Sequence, residues 1–403
     1  MSTSIIITIS LLLLLAYVFD ITASKTKIPS VILLLVLGFA VKIITENLNI
    51  AVPDLNPILP ILGTIGLILI VLEGSLELEI NKSKLPLIFK SSLVALLPLL
   101  FISFGIAYYL NYFEDLPLKL ALANAIPLGI ISSAIAIPSA RNLLKNEKEF
   151  ITYESSLSDI FGVIFFNFIT LNDNIGSKTF GRFAIELIIM LVISFVATLL
   201  LAGFLNKIKH HIKFVPMIIL VLLIYSISKV FHLPALIFIL IFGLFIGNID
   251  ELRHYKFIQK FHPINFTKNV HKFREITTEL AFLIRALFFI LFGFLIDIAD
   301  VLNSETILFA LYITLGIFIS RFIVLKIFRI QTNPLVFLAP RGLITILLFL
   351  SIPISQKIIQ IDKSLITQVI ILSALIMMIG LMRFKKPEVE NVNKNSQDES
   401  IIE

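Results

Sequence analysis

The sequence predicts an all-α polytopic membrane protein with about 13 transmembrane helices. Of its 403 residues, 58% are hydrophobic and only 15% are charged, whereas soluble globular chains carry about 45–50% apolar and about 25% charged residues. Apolar runs of roughly 17 to 25 residues follow one another almost to the end of the chain, and such runs can cross a bilayer. Continuous runs also exclude a β-barrel, whose strands are roughly ten-residue alternating segments.

Polar or charged breaks separate thirteen apolar spans. The clearest breaks fall at residues 24–27, 81–84, 141–149, 172–174 and 250–272, and the weakest is at 232–234. In chain order the spans cover residues 4–22, 28–44, 57–73, 86–111, 117–140, 149–171, 180–206, 213–231, 233–248, 274–298, 305–329, 333–353 and 363–383. Together they predict a single transmembrane domain over residues 1–386. The polar composition of residues 387–403 predicts a disordered cytoplasmic tail.

The basic residues predict the orientation of the chain. With the N-terminus outside, 21 Lys and Arg residues fall on the inner side and 7 on the outer side, which is the bias that orients helical membrane proteins. We therefore expect a multi-pass protein of the plasma (inner) membrane with a cytoplasmic C-terminus. The net charge of +6 is then explained by topology, and we expect no nucleic-acid partner. The first span lacks a basic leader, so we interpret it as a retained helix, although residues 22–24 form a weak cleavage site.

The sixth span contains charges that are costly inside a membrane. Glu154, Ser155, Ser158 and Asp159 form one polar wedge at helical spacing. We expect this wedge to face a hydrated cavity; the alternative is a structural seam between helices. Its hard oxygen ligands suit alkali cations, and the chain has no Cys. No His lies within a span to act as a base, so an enzyme is not predicted, and neither is a cofactor.

The twelfth span is interrupted around an arginine. Pro340 and Gly342 loosen the helix on either side of Arg341, which is tolerated only where protein or cavity water satisfies the freed backbone. A guanidinium keeps its proton, so Arg341 needs a permanent anion. We expect a structural ion pair between Arg341 and Glu154, which would leave Asp159 as the free titratable group.

The fifth span is interrupted in a similar way. Pro127, Gly129 and Pro138 break its apolar run, and Ser132 and Ser133 lie between them. The fifth and twelfth spans are seven apart and so run in opposite directions, and paired interrupted helices are typical of inverted-repeat transporters. The alternative for each span alone is a simple proline kink. We expect helix breaks at Pro138, Pro340 and Gly342, with Ser132 and Ser133 near the ion.

These motifs resemble the monovalent cation:proton antiporter superfamily, the sodium/proton exchangers with an NhaA-like fold. Its members carry E-S-x-x-N-D in the sixth helix, and Glu154-Ser155 with Asp159 match it here. Arg341-Gly342 matches an R-G in the twelfth helix, and residues 288–293 are similar to V-F-x-x-x-G in the tenth. Residues 232–248 look like the ninth helix. The resemblance covers nearly the whole chain.

Two departures concern the ligands of the cation. The amide that precedes the acidic residue in the family is Ser158 here, and the acid of the family's T-D-P is replaced by Ala134 or Ile135. The segment from Ser132 to Ile135 is closer to the S-S-T-A of the potassium-efflux branch. Potassium therefore stays a candidate beside sodium.

The resemblance implies secondary exchange of a monovalent cation (Na⁺, K⁺ or Li⁺) for H⁺, by competition at Asp159. We expect electroneutral exchange, because Glu154 would be cancelled by Arg341. It also implies a homodimer with core helices over about 86–171 and 305–383, moving against dimer or scaffold helices over about 4–73 and 180–298. The alternatives are a non-transporting sensor or channel on the same fold, or a carrier for another small solute.

Overall fold

A computed structural model describes residues 2–26, 28–50, 52–79, 81–172, 176–207, 214–231, 235–248 and 265–383. Within these ranges the chain is helical and contains no strand. Together with the apolar character of the helices, this confirms the predicted all-α polytopic membrane protein. The tail over 387–403, the break at 232–234 and most of the basic loop at 250–272 lie outside the described residues.

The described residues form fifteen α-helices, which we number in chain order. They are α1 (Ser2–Thr26), α2 (Ser30–Asn47), α3 (Ile58–Glu77), α4 (Leu85–Phe113), α5 (Leu118–Gly129), α6 (Ser133–Ser139), α7 (Lys145–Leu171), α8 (Ser177–Lys207), α9 (Phe214–Val230), α10 (Leu236–Gly247), α11 (Asn265–Leu295), α12 (Ile298–Val301), α13 (Ser304–Ile327), α14 (Leu343–Ser351) and α15 (Lys363–Arg383). Short 3₁₀ turns occur at Lys82–Lys84, Leu335–Phe337 and Ile354–Gln356.

Each of the thirteen predicted spans coincides with helical structure. Among the described residues, 10 segments are long and apolar enough to cross a membrane, with α5 and α6 counted as one. The helices α9 and α10 are shorter apolar segments. The remaining predicted span, residues 333–353, is divided between the turn at Leu335–Phe337 and helix α14.

Prolines mark several helix starts. Pro29, Pro57 and Pro117 immediately precede α2, α3 and α5. A helix leaves its first N–H groups without partners inside the helix, so a residue without an N–H costs nothing at that point. At the start of α13, the side chain of Asn303 accepts the N–H of Glu305 at 3.0 Å, which is the usual way to satisfy one of these groups.

The helices pack in two groups. In the first, α2 and α3 pack against α11, and α10 packs against α3 and α8. In the second, α4 packs against α5, α7 and α13, and α13 packs against α15. Helix α3 of the first group also contacts α6, α7 and α14 of the second, so it lies along the boundary between the groups.

Glycines allow the helices of the first group to touch through their backbones. A Cβ on Gly38 would overlap the carbonyl oxygen of Ile290, and a Cβ on Gly293 would overlap that of Leu35. The two glycines therefore face each other across the contact between α2 and α11. Small residues at such a contact permit close packing of helices in a membrane, where van der Waals contact is a main source of association.

Both interrupted spans are broken, but the first break differs from the prediction. Residues 130–132 separate α5 from α6, and residues 338–342 separate the turn at Leu335–Phe337 from α14. Pro340 and Gly342 lie in the second break. Pro138 does not lie at the first: it is inside α6. The chain breaks instead where its freed N–H groups find partners on α7 and on the second break.

Candidate functional site

The two breaks contact each other directly. The N–H of Ser132 in the first break donates to the carbonyl oxygen of Pro340 in the second at 2.9 Å. A Cβ on Gly342 would meet the side chain of Ile135 and would lie 3.1 Å from the Ser132 hydroxyl oxygen. A side chain at position 342 would therefore force Ile135 to shift, which favours the glycine that follows Arg341.

Asp159 lies beside this crossing, on α7. Its side chain is buried, with 1% of the residue exposed. The Ser133 hydroxyl donates to Asp159 Oδ2, whereas Oδ1 has no hydrogen-bond partner among the described residues. The structure thus brings Asp159 together with Ser133, the first residue of α6. One carboxylate oxygen remains available to a proton or a cation.

Three successive residues, the last two of the first break and the first of α6, have different partners. The Ile131 N–H donates to Ser158 Oγ at 3.0 Å, the Ser132 N–H reaches Pro340, and Ser133 holds Asp159. Ser158 was predicted as an ion ligand, and here its oxygen accepts a backbone N–H. Because Ser158 and Asp159 are adjacent on α7, this bond aligns the start of α6 with the carboxylate.

Two other predicted serines differ in their surroundings. The Ser155 hydroxyl donates to the Ile151 carbonyl of its own helix at 2.7 Å, a common arrangement for a serine in a helix. The Ser132 hydroxyl oxygen is buried without a hydrogen-bond partner in the described part of the chain. Ser132 is therefore a second oxygen at the crossing with bonding capacity to spare.

Glu154 pairs with Arg321, which corrects the predicted pair with Arg341. Both Arg321 Nη atoms reach the carboxylate, with Nη2 2.8 Å from Oε2, and each residue is at most 1% exposed. Arg321 Nε also donates to the Leu335 carbonyl oxygen at 2.8 Å. Five residues of helix turn a side chain by about 140°, so Glu154 faces α13 while Asp159 faces α6.

Arg341 is bound by backbone carbonyl groups instead. Its Nε donates to Leu128 O at 2.8 Å, Nη2 to Gly129 O at 3.1 Å and Nη1 to Ala339 O at 2.8 Å. The first two acceptors are at the C-terminal end of α5. The last carbonyls of a helix lack partners inside it and carry partial negative charge, so a guanidinium is favourable there.

One further residue that binds Arg341 was not singled out in the sequence. Ser373 of α15 accepts the Arg341 N–H at 3.0 Å. A serine in a span is too common to be identified from one sequence. Arg321 could have been identified, because it is the seventeenth residue of its predicted span and lies eight residues before the end.

A second buried pair lies away from the crossing. Glu73 of α3 and Arg285 of α11 are 3.8 Å apart, and their side chains are 12% and 6% exposed. Glu73 is the last residue of the predicted third span, and the structure buries it. Arg285 lies inside the predicted tenth span, and its partner Glu73 is on another helix.

A cavity of about 610 Å³ opens near the C-terminal end of α6. Its wall includes Pro138, Ser139 and Arg141 from this end, and Asp20 from α1. Helix α6 leads from Ser139 to Ser133, a distance of about 9 Å at 1.5 Å per residue. The cavity thus lies one short helix away from the Asp159 carboxylate, on the side that the basic residues predict to be cytoplasmic.

Comparisons with known proteins agree with this architecture. The profile of the family described as "Sodium/hydrogen exchanger, transmembrane" matches residues 9–384. No curated protein sequence matches the chain.

Solved structures with a similar fold include the sodium proton antiporter MjNhaP1 from Methanocaldococcus jannaschii. Its structure at pH 8 is 19% identical in sequence, with a TM-score of 0.66, and the match covers 95% of this chain and 99% of that one. An electron-microscopy map of the same antiporter gives 18% identity, a TM-score of 0.65 and the same coverage. At this identity the likeness concerns the fold.

Proposed function

Because the chain belongs to the sodium/hydrogen exchanger family, we propose that it exchanges one monovalent cation, Na⁺ or K⁺, for one H⁺ at Asp159. The main observation in support is the buried carboxylate itself. Ser133 holds one of its oxygens, and the other has no partner among the described residues. Such a group favours a positive ligand, because an isolated charge is costly away from water.

Competition at one carboxylate explains how exchange is coupled. A proton or a cation can neutralise Asp159, but the two cannot occupy it together. The Ser133 hydroxyl and the unpartnered Ser132 oxygen are hard ligands of the kind that alkali cations bind. Because a bare carboxylate in the apolar barrier costs several kcal/mol, roughly 2.5 or more, only the loaded site crosses. Each crossing therefore carries one proton or one cation.

The surrounding charges support electroneutral exchange. Glu154 is cancelled by Arg321, and Arg341 keeps its charge against backbone carbonyls. These groups carry the same charge whether Asp159 holds a proton or a monovalent cation. The two half-cycles then move equal charge in opposite directions, and the net transfer is zero. The expectation from sequence is kept, although Arg321 replaces Arg341 as the partner of Glu154.

The movement that exposes Asp159 is proposed to occur between two bodies. The core comprises residues 86–171 and 305–383, and the scaffold comprises residues 4–73 and 180–298. Packing supports this division, since α4, α5, α7, α13 and α15 associate in one group and α2, α3, α10 and α11 in another. The broken helices, the ion pair and Asp159 all lie in the core. We propose that two copies associate through the scaffold.

The test is a proton-flux assay in proteoliposomes with a pH-sensitive dye inside. We expect Na⁺ or K⁺ gradients to move protons through the wild type and Asp159→Asn to abolish this flux. Li⁺ serves as a third cation. Asp115→Asn, in an exposed loop, is the matched control and should keep full activity.

Two outcomes would contradict the proposal. Equal cation-driven flux in wild type and Asp159→Asn would exclude the single-carboxylate mechanism. A flux that follows an imposed membrane voltage would exclude electroneutrality, and an ion current without proton exchange would indicate a channel on this fold.

A further inference from the structure

Polar contacts join the proposed core and scaffold at one end of the membrane, where the cavity opens. In each contact, a side chain of the core, from the segment that follows α6 or from α7, meets a residue of α1 or one of residues 77–79, which end α3 and follow it directly. The pairs are Arg141 with Asp20 at 2.6 Å, Lys148 with Glu77 at 4.0 Å, and the Tyr153 hydroxyl with the Glu79 carbonyl oxygen.

The Asp20–Arg141 pair has the closest link to the ion site. Arg141 follows α6, the helix whose first residue holds Asp159. Asp20 is on α1, its side chain is 18% exposed, and its other oxygen is 3.4 Å from the Ser30 hydroxyl. Both charged residues line the cavity. Any movement of α6 relative to α1 must therefore change this pair.

We propose that the Asp20–Arg141 ion pair is a latch that stabilises the cavity-open arrangement and is released when the core moves. The proposal rests on the exchange cycle proposed above. An ion pair that forms in one of two states lowers the free energy of that state alone and so shifts the populations toward it. Because Arg141 is 44% exposed, solvent weakens the pair, and the expected shift is about two- to five-fold.

Two ion pairs that each lie within one body serve as comparisons. Arg182 and Glu186 are one turn apart on α8, at 3.0 Å. Glu73 and Arg285 join α3 to α11, both in the scaffold. Movement of the core leaves such pairs intact, so their loss should not change the populations.

The absence of cysteine from the sequence allows a direct test. Ser139→Cys places a thiol in the cavity wall, and Tyr112→Cys places one at a position that is 79% exposed. Each cysteine variant is labelled in nanodiscs with a water-soluble maleimide. The labelling rate of the thiol at 139 is then divided by the labelling rate of the thiol at 112. We expect Asp20→Asn to lower this ratio by about two- to five-fold, and Arg182→Gln to leave it unchanged.

A purely electrostatic effect of Asp20→Asn would change the labelling rate at 139 in the opposite direction. Removing a carboxylate near the thiol favours the reactive thiolate and would speed labelling, whereas closure of the cavity slows it. The double variant Asp20→Arg with Arg141→Asp recreates the pair and should restore the wild-type ratio.

An unchanged ratio in Asp20→Asn, or no recovery in a double variant that elutes as folded protein, would overturn the latch. Labelling requires no transport. The outcome is therefore independent of whether Asp159→Asn abolishes exchange, and failure of the latch is distinguishable from failure of the exchange mechanism.

Discussion

Glu154 and Asp159 are five residues apart on one helix, and the structure gives them different environments. Glu154 is neutralised by a bidentate arginine, whereas Asp159 has a serine hydroxyl on one oxygen. Sequence spacing identified both carboxylates as unusual. It could not choose between Arg321 and Arg341 as the partner of Glu154, because the choice depends on which helix lies against each face of α7.

The Glu154–Arg321 pair leads to a prediction about stability. Arg321→Met leaves a buried carboxylate without a counter-charge, and this should cost about 3–5 kcal/mol in unfolding free energy. Adding Glu154→Gln should recover most of that loss. The measurement is thermal unfolding in detergent, with Arg182→Met as a control that should change little, because the Arg182 side chain on α8 is 79% exposed. A double variant as unstable as Arg321→Met alone would contradict the pairing.

Ser158 leads to a second prediction at this scale. Ser158→Ala leaves the buried Ile131 N–H without its acceptor, at a cost of about 1–3 kcal/mol in unfolding free energy. It should also weaken the hydrogen bond from the Ser133 hydroxyl to Asp159. We expect lower thermal stability and a higher half-saturating cation concentration. Ser158→Asn, which keeps an acceptor, should retain more of both.

Ser156→Ala is the matched control for Ser158→Ala. Ser156 is on the same helix and equally buried, and its hydroxyl has no hydrogen-bond partner among the described residues. Its loss should therefore be tolerated. If Ser156→Ala were as harmful as Ser158→Ala, the effect of the latter could not be assigned to the bond with Ile131.

At the scale of helices, the sequence located the interrupted spans more reliably than the breaks within them. Pro340 and Gly342 lie in the second break, but Pro138 is inside α6 and the first break is at 130–132. A helix end requires partners for its free N–H and carbonyl groups. Those partners, Ser158 and Pro340, come from other parts of the chain, so proline positions alone could not place the break.

The contact between α2 and α11 gives a prediction for this scale. Gly38→Ala would drive a methyl group into the backbone of α11, and overpacking of this kind costs about 1–3 kcal/mol. Gly105→Ala on α4 meets nothing within 4 Å, and its effect should stay within about 1 kcal/mol. Thermal unfolding of the two variants compares them directly. Equal midpoints would mean that the α2–α11 contact is not close in the membrane.

For the whole molecule, composition and span count were sufficient to predict the fold class. The thirteen apolar spans correspond to helical segments even where a span is short or broken. The grouping of helices was accessible only through the family resemblance, because hydrophobic periodicity does not reveal which helices are neighbours. The cavity beside α6 was not predictable, since it depends on how α1 lies against the core.

The orientation of the chain gives a prediction at this scale. Single cysteines replacing Tyr112 and Lys145 should lie on opposite sides of the membrane, with 112 outside and 145 inside. An impermeant thiol reagent added to intact cells should label Tyr112→Cys, and should label Lys145→Cys only after permeabilisation. Both positions are exposed, at 79% for the residue and 80% for the side chain. The reverse pattern would invert the predicted topology.

The positive charge of Arg341 lies against carbonyl groups rather than a carboxylate, and this has a consequence for divalent cations. A divalent cation bound at Asp159 would add a second positive charge to the core, and carrying that charge through the apolar barrier is costly. Ca²⁺ or Mg²⁺ could occupy the carboxylate yet would not cross. Divalent ions should therefore act as competitive dead-end inhibitors, because they can bind but cannot be carried.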